Sequence, residues 1–395
     1  MIQNFENLER LASYRPILLK LKPGEVVLKK AIEKLSIKTI LGSGMLAGAL
    51  CAYSAPAYAQ IDEVTVTARK VEENLQDVPI SVTAFTGNYF EDAGLVEFAD
   101  IAQLTPNFDV RENDTRGSLF ANLTIRGQST NVAEINSDQA VGIIINGAPV
   151  TRGTNLFSNL FDVEQIEVLK GPQGTLFGKN TTGGTVIVTT TAPKLDEFSG
   201  YAEVDIGNFD RNDYEAVFNV GAENWAVRLG AAHTNRDGFG EGVTGDGTLT
   251  GREFADDNEE FYKASLLLEP SDRLSIRANV DYHEVDEAGS IQRVLRDGFI
   301  GTFQIADITP GDDIFLAADN RLVDTPEVTA EEFNINGTVE YDFGWADLTS
   351  VTSYRNQESF TVATYAFVPI QIGQDSDIFA QELRLSGQAF DDRLT

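Results

Sequence analysis

The chain is 395 residues long and carries 61 acidic against 30 basic residues, a formal net charge of −31. Phosphates would repel a chain this acidic, which excludes nucleic acid as a partner, and 24 Phe with 11 Tyr exclude a disordered acidic chain. Cys51 is the sole cysteine and lies in a segment expected to be removed, so disulfides and cysteine-based chemistry are excluded from the remainder.

No unbroken run of about 18 apolar residues offers a membrane-spanning helix, which leaves the closed barrel as the way to span a membrane. The stretch KLSIKTILGSGMLAGALCAYSAPAYAQ, Lys34 to Gln60, has the three parts of a secretory leader. Lys34 and Lys38 supply the positive region, an apolar run follows, and Ala57-Tyr58-Ala59 gives a cleavage site before Gln60. A leader runs about 15–30 residues. Residues 1–59 therefore read as a leader preceded by an extension that does not belong to it, with the true start expected near Val26 to Leu35.

Residues 60–77 form a linker that opens with IDEVTVTA. Its eight residues are Ile61, Asp62, Glu63, Val64, Thr65, Val66, Thr67 and Ala68. The valines alternate with threonines, so the segment is a short β-prone strand on a leash, able to add to the edge of a partner's sheet. The other reading is an ordinary first strand of the domain that follows.

Residues 78–195 mix strands such as ISVTAF (Ile80 to Phe85) and VGIIING (Val141 to Gly147) with two short helices, NYFEDAGL and VEFADIAQL. That is an α+β domain with its own core. Within it GPQGTLFGKNTTGGTVIVTT invites a phosphate-loop reading. Counting back from Gly178-Lys179 puts Gln173 where that loop needs glycine and Asn180 where it needs Ser or Thr. A β-branched run follows where a helix must open. The nucleotide reading fails.

Beyond Phe198 the pattern becomes a strict alternation of period two. LSIRANVDYH sets Leu274, Ile276, Ala278, Val280 and Tyr282 against Ser275, Arg277, Asn279, Asp281 and His283. WAVRLGAAHT and FNINGTVEYD repeat it. Eight strands are predicted, at 198–208, 213–221, 224–234, 259–268, 272–285, 328–342, 345–358 and 376–389. Short links (GAEN, EPSD, FGW) alternate with long ones of roughly 23, 42 and 17 residues, which segregates loop lengths to opposite ends as in an outer-membrane barrel rather than a sandwich. The acidic stretch Gly245 to Glu260 reads as a solvated outer loop, with divalent-cation binding as the other reading. His233 and His283 sit on separate strands with no motif around them, so no catalytic or metal site is expected.

The block DVEQIEVLKGPQGTLFGKNTTGGTVIVTT, Asp162 to Thr190, resembles the plug-domain signature of TonB-dependent outer-membrane receptors. LTIRG (Leu123 to Gly127), IIINGAPV (Ile143 to Val150), QDVPISVTAF and the strand block FAQELRLSG (Phe379 to Gly387) are similar to further blocks of that family. The matching plug positions are Arg126, Gly127, Asn146, Gly147, Glu167, Lys170, Gly171, Pro172, Gly174, Gly178, Gly183 and Gly184. Pro172 and the glycines would make tight turns, and Gly183-Gly184 would permit close backbone packing. Lys170 stands where the family usually has the arginine that helps seat the plug on the wall, and Asn146 stands where Asp is commoner. Ile61 to Ala68 resembles a TonB box.

The resemblance implies an α+β plug followed, over 196–395, by the first eight or so of about 22 antiparallel transmembrane β-strands, and so the N-terminal part of a longer receptor. It implies gated uptake of a small ligand across the outer membrane of a Gram-negative bacterium. TonB and its inner-membrane energising partners would be the motor, and outer-membrane lipid and lipopolysaccharide the surroundings. No cofactor is implied; a ferric siderophore is the expected cargo, with glycan or cobalamin as rivals and a passive porin as the reading of another class.

Overall fold

The structure, a computed structural model, describes residues 17–22, 25–26, 64–93, 95, 98–113, 117–130, 138–150, 160–238, 240–243, 249–254, 256–288, 299–300, 303–304, 315–316, 327–365 and 368–387. The cleavage residues Ala57, Ala59 and Gln60, with Ile61, Asp62 and Glu63, lie outside the described residues.

Two short strands come first, β1 (Ile17–Lys22) and β2 (Glu25–Val26), followed by the small pair β3 (Thr65–Val66) and β4 (Glu73–Asn74). The domain then runs β5 (Ser81–Thr86), α1 (Gly87–Ala93), α2 (Phe98–Leu104), β6 (Phe108–Asn113), β7 (Gly117–Ile125), β8 (Val141–Ile145) and β9 (Ala148–Val150). It closes with β10 (Val163–Lys170), the one-turn α3 (Gly174–Phe177) and β11 (Gly184–Thr190). Five of these strands form a mixed sheet in the order β5-β10-β11-β8-β9, while β6 and β7 make a separate hairpin. Val141, Ile143, Ile145, Ile166, Val168 and Val186 from the central strands, with Phe98, Ile101 and Ile125, build one buried core. This is the α+β unit that the residue pattern predicts. The GTVIVTT run is a strand rather than the helix a phosphate loop would open.

The glycines sit where backbone geometry needs them. Asn146 and Gly147 both have positive φ, 48° and 81°. That makes the two-residue turn of the β8–β9 hairpin a type I′ turn. Gly184 tolerates no side chain: a Cβ there would lie 2.3 Å from the Leu169 carbonyl oxygen.

The rest of the chain is a long sheet. Its strands are β12 (Phe198–Ile206), β13 (Asn212–Ala222) and β14 (Trp225–Arg236); then come β15 (Gly240–Val243) and β16 (Leu249–Phe254), which pair with each other. β17 (Asp257–Ser271) and β18 (Leu274–Glu287) follow, then the two-residue strands β19 (Phe299–Ile300), β20 (Phe303–Gln304) and β21 (Phe315–Leu316). β22 (Glu327–Asp342), β23 (Asp347–Tyr365) and β24 (Val368–Ser386) complete it. The order β2-β1-β12-β13-β14-β17-β18-β22-β23-β24 is antiparallel throughout, and among the described residues the two ends do not meet. All eight predicted strands are present. β1 pairs with β12 along Ile17 to Leu21, a partner that the leader reading of residues 1–59 does not supply.

One connection differs from the expectation. Residues 359–365 and 368–375, read from sequence as parts of a loop, extend the β23–β24 pairing out to Tyr365↔Val368. The run ESFTVATY is β-branched and aromatic, which favours the longer ladder.

Alternation along the strands sorts the two faces in the reverse of a soluble sheet. Outward stand Phe218, Leu229, Tyr262, Phe333, Ile335, Tyr354, Phe379 and Leu383, all exposed. Inward stand Asn219, Arg228, Asn279, His283, Glu332, Asn336, Ser353, Arg355 and Gln357, all buried. An apolar outer face over a polar inner one is the arrangement of a membrane barrel wall.

Candidate functional site

The plug domain lies against the inward, polar face of this wall, and one contact dominates. Asp162, in the turn before β10 with φ +51°, receives a bidentate guanidinium from Arg228 of β14. The distances are 2.9 Å from Nε to Oδ2 and 2.5 Å from the terminal nitrogen to Oδ1. Both side chains are buried, so each charge depends on the other. Beside them the Phe161 ring packs where a Cβ on Gly230 of β14 would come within 2.7 Å of it. Lys263 of β17 reaches over that ring, 4.9 Å from its centroid, and donates to the Phe161 carbonyl. A glycine inside a wall strand thus makes the socket for a plug aromatic.

Below the ring the inner wall carries a row of polar partners across four strands. Lys263 lies opposite Asp281, Asp281 opposite Asn334, and Asn334 opposite Arg355. Asn334 donates to Asp281 at 3.0 Å, Arg355 donates to Glu332, and Asn279 donates to Asn336 at 2.8 Å. Lys263, Asp281, Asn334, Arg355 and Glu332, with Ile143, Ile145 and Val188 of the plug, line a cavity between plug and wall. The seat is polar and hydrogen-bonded.

At the other end of the plug the segment from Val64 to Lys70 is docked. Val66 and Ala68 are fully buried in a second core with Val78, Ile144, Leu169 and Ile187. Thr67 donates twice to Glu167 Oε1, from its amide at 2.8 Å and its hydroxyl at 2.9 Å. Gln165 donates to the Thr65 carbonyl at 2.9 Å. Glu167 is itself buried, and loss of hydration pushes its carboxyl above the usual carboxylate range, with the Thr67 and Gln165 hydrogen bonds opposing. One residue beyond this hook, Lys70 donates to both oxygens of Glu382 on β24, at 2.6 and 2.7 Å, and Arg384 donates to the Lys70 carbonyl at 2.8 Å. The described part of the candidate TonB box, Val64 to Ala68, is thus docked on the plug, with Lys70 just beyond it tied to the wall. Among the described residues Thr65–Val66 pairs as a strand with Glu73–Asn74, a ladder of two residues.

The signature positions occupy the turns of this unit. Arg126 and Gly127, with φ of 51° and 77°, close the end of β7. Gly171 (φ 111°) and Pro172 lead from β10 to α3, which begins at Gly174 and is capped by Gly178 (φ 79°). Gly183 packs on the Ala140 carbonyl and Gln128. Asn146 bridges to Thr190 through both its amide groups. Lys170 lies beside Arg126, and burial first and that arginine second lower its pKa. Among the described residues the charged and polar contacts between plug and wall include those of Arg228, Lys263 and Lys70, which sequence alone did not single out. An Arg and a Lys on the inward face of barrel strands, and a Gly at a strand centre, were the available signals.

Comparison with known proteins agrees with this architecture. Residues 74–185 match the model of the TonB-dependent receptor plug domain. The pesticin receptor of Yersinia pestis is 30% identical over 164 residues, 41% of this chain and 23% of the receptor. The vitamin B12 transporter BtuB of Vibrio vulnificus is 29% identical over 188 residues, 45% of this chain and 28% of the transporter. The chain thus spans well under half the length of these relatives. Among solved structures, the ferric yersiniabactin uptake receptor FyuA from Yersinia pestis superposes with a TM-score of 0.65 at 18% identity, over 79% of this chain and 46% of that one. Residues 74–185 are thus a plug domain of the TonB-dependent receptor kind, and the antiparallel wall they sit on has the fold of the solved receptors that the chain resembles.

Proposed function

We propose that this chain forms the plug and part of the wall of an outer-membrane receptor that takes up a ferric siderophore, with TonB as motor. The observation that carries the reading is the docked segment Val64 to Lys70. It is a short strand at the plug's N-terminal end. One buried carboxylate, one half-buried ion pair and the two side chains Val66 and Ala68 in the smaller second core hold it, so it is releasable without opening the main core of the plug. Ligand binds on the outer side, between the long connections and the plug. Binding loosens the docked segment, TonB pairs with it as an added strand, and pulling shifts the plug along its polar seat. The residues serve binding and gating, and no bond-making chemistry is assigned to them.

Iron is favoured because the solved structures that the chain resembles include FyuA, a ferric yersiniabactin uptake receptor, and its sequence relatives include a ferripyoverdine receptor. The BtuB match makes cobalamin the rival cargo. Radioiron accumulation from siderophore panels, in cells dependent on this protein, tests both points. Uptake should vanish when residues 61–68 are deleted or TonB is absent. Uptake that persists without TonB excludes the mechanism in favour of a passive pore. Cobalamin uptake without siderophore uptake replaces the cargo.

A further inference from the structure

We propose that Asn219 is a positioning residue that fixes the outgoing end of the plug to the wall, so that a pulled plug turns about this end. Its purpose rests on the uptake proposed above; its geometry stands apart from it. Asn219 lies on β13, fully buried on the inward face. Its amide clasps the linker that leaves the plug after β11. The Lys194 amide donates to Asn219 Oδ1 at 2.9 Å, and Asn219 Nδ2 donates to the carbonyls of Lys194 and Glu197, each at 3.0 Å. One side chain thus satisfies three backbone groups of an irregular segment. An amide can both accept and donate; a carboxylate cannot donate, and an apolar side chain can do neither. Backbone contacts complete the clasp. Gly221 donates to the Glu197 carbonyl at 2.9 Å and Asp196 to the Ala222 carbonyl at 3.3 Å. A Cβ at Gly221 would lie 2.1 Å from the Lys194 carbonyl oxygen, so the linker is pressed onto β13 at backbone distance.

The clasp adjoins the contact between Asp162 and Arg228, since Asn219 stands directly opposite Arg228 in the β13–β14 ladder. Thr191, the residue after β11, donates from its amide to the Asp162 carbonyl at 3.0 Å. Two neighbouring wall side chains therefore hold the start of β10 and the exit from β11, the two open ends of one antiparallel pair. Both wall side chains are buried. The incoming end is held differently. Its ladder to β4 is two residue pairs long, and its wall tie, Lys70 to Glu382, is half-buried. That tie is on β24, at the far end of the sheet order from β13. Half-buried ion pairs give way far more readily than buried polar groups that would be left unmet. A pull on the docked segment therefore undoes the incoming end first, and the outgoing end stays seated. The plug has one releasable mount and one fixed mount.

Hydrogen exchange and paired spin labels on the chain folded in lipid, in a Cys51→Ser background, test the mount independently of uptake. In the parent, the Lys194 and Gly221 amides should exchange as slowly as the β13 ladder and about tenfold or more slower than the Thr67 amide. Asn219→Leu should quicken exchange at Lys194 by about tenfold to a hundredfold. It should also broaden the distance between labels at Lys194 and Glu223, while labels at Arg69 and Asp272 keep the parent distance. Glu167→Leu, which undoes the docked segment, should do the reverse. Parent linker amides that exchange as fast as Thr67 overturn the mount, a result that needs no variant and so decides even where Asn219→Leu folds poorly. A Lys194 distance unchanged in Asn219→Leu overturns it equally. In cells, Asn219→Leu should bind each ferric siderophore that the parent binds yet lose most of its import. Import per bound ligand equal to the parent's removes the purpose assigned to the mount. A parent that imports nothing through TonB overturns the uptake reading alone, and the exchange pattern still decides the mount.

Discussion

Glu167 shows how a single side chain can hold a segment and strain it at once. Its carboxylate anchors Thr67 by two hydrogen bonds, yet desolvation outweighs them and raises its pKa above the ordinary 4.5. An acid with a raised folded pKa binds its proton more tightly folded than unfolded. Its contribution to stability is therefore complete below about pH 4.5 and is lost as pH rises through the folded value. Glu167→Gln keeps an oxygen for Thr67 and removes the charge. Thermal unfolding should show this variant more stable than the parent at neutral pH, with the difference gone near pH 4; a parent curve flat across that range would contradict the assignment. Glu167→Leu removes the anchor itself and leaves the Thr67 donors unmet, a loss of about 1–3 kcal/mol locally. Hydrogen exchange at the Thr67 amide should then quicken by roughly tenfold to a hundredfold while β10 and β11 stay protected. The Asp162–Arg228 pair makes the opposite case, two charges that are safe only together. Arg228→Met should cost about 3–5 kcal/mol by stranding Asp162, and a second change, Asp162→Leu, should return much of it. Denaturant unfolding of the two variants measures both terms.

At the scale of elements, what was legible in the sequence is what local periodicity encodes. Strict alternation gave all eight wall strands and sorted their two faces, Leu229 and Ile335 on one side and Arg228 and Asn336 on the other, because a slip by a single residue would exchange them. The turn glycines were legible for the same reason, since positive φ is a local demand. Partners across the fold were not legible. Thr67 and Glu167 are 100 residues apart and Lys70 and Glu382 are 312 apart, and nothing local tells either residue of the other. His283 looked like a solitary strand histidine because its neighbour Glu259 arrives only through the β17–β18 register. Residues 359–365 and 368–375 were not legible as strand because their alternation is weak, and they pair on β-propensity instead. The β10–β11 hairpin supplies the test of element packing. A methyl on Gly184 would meet the Leu169 carbonyl at 2.3 Å and Ile125 at 2.7 Å, so neither backbone nor core can yield cheaply. Gly184→Ala should lower the unfolding midpoint markedly, whereas Gly127→Ala, with open space but positive φ, should cost about 1 kcal/mol.

For the whole molecule the decisive feature is that burial runs backwards in one part and forwards in the other. The plug hides Phe98, Ile101, Ile125 and Ile166 as a soluble domain does. The wall hides Asn219, Asn279, Asn336 and Gln357 and presents Trp345, Phe379, Leu383 and Leu385 outward. An exposed apolar face of this kind is what the lipid-facing side of a membrane barrel wall carries. The plug's polar seat goes with the same inversion: the plug meets the wall on its polar side. A charge placed on the outer face should therefore act on membrane insertion and leave the plug untouched. Leu229, half exposed at the middle of β14, is the position to change. Leu229→Arg should cost about 2–4 kcal/mol if it sits near the bilayer midplane. In bilayers the fraction of folded, protease-resistant wall should fall, while hydrogen exchange in β10 and β11 should match the parent. Equal insertion of parent and variant would show that this face does not meet lipid. Loss of plug protection along with the wall would show that the two parts stand or fall as one unit, held by the Arg228 contact on the other face of the same strand.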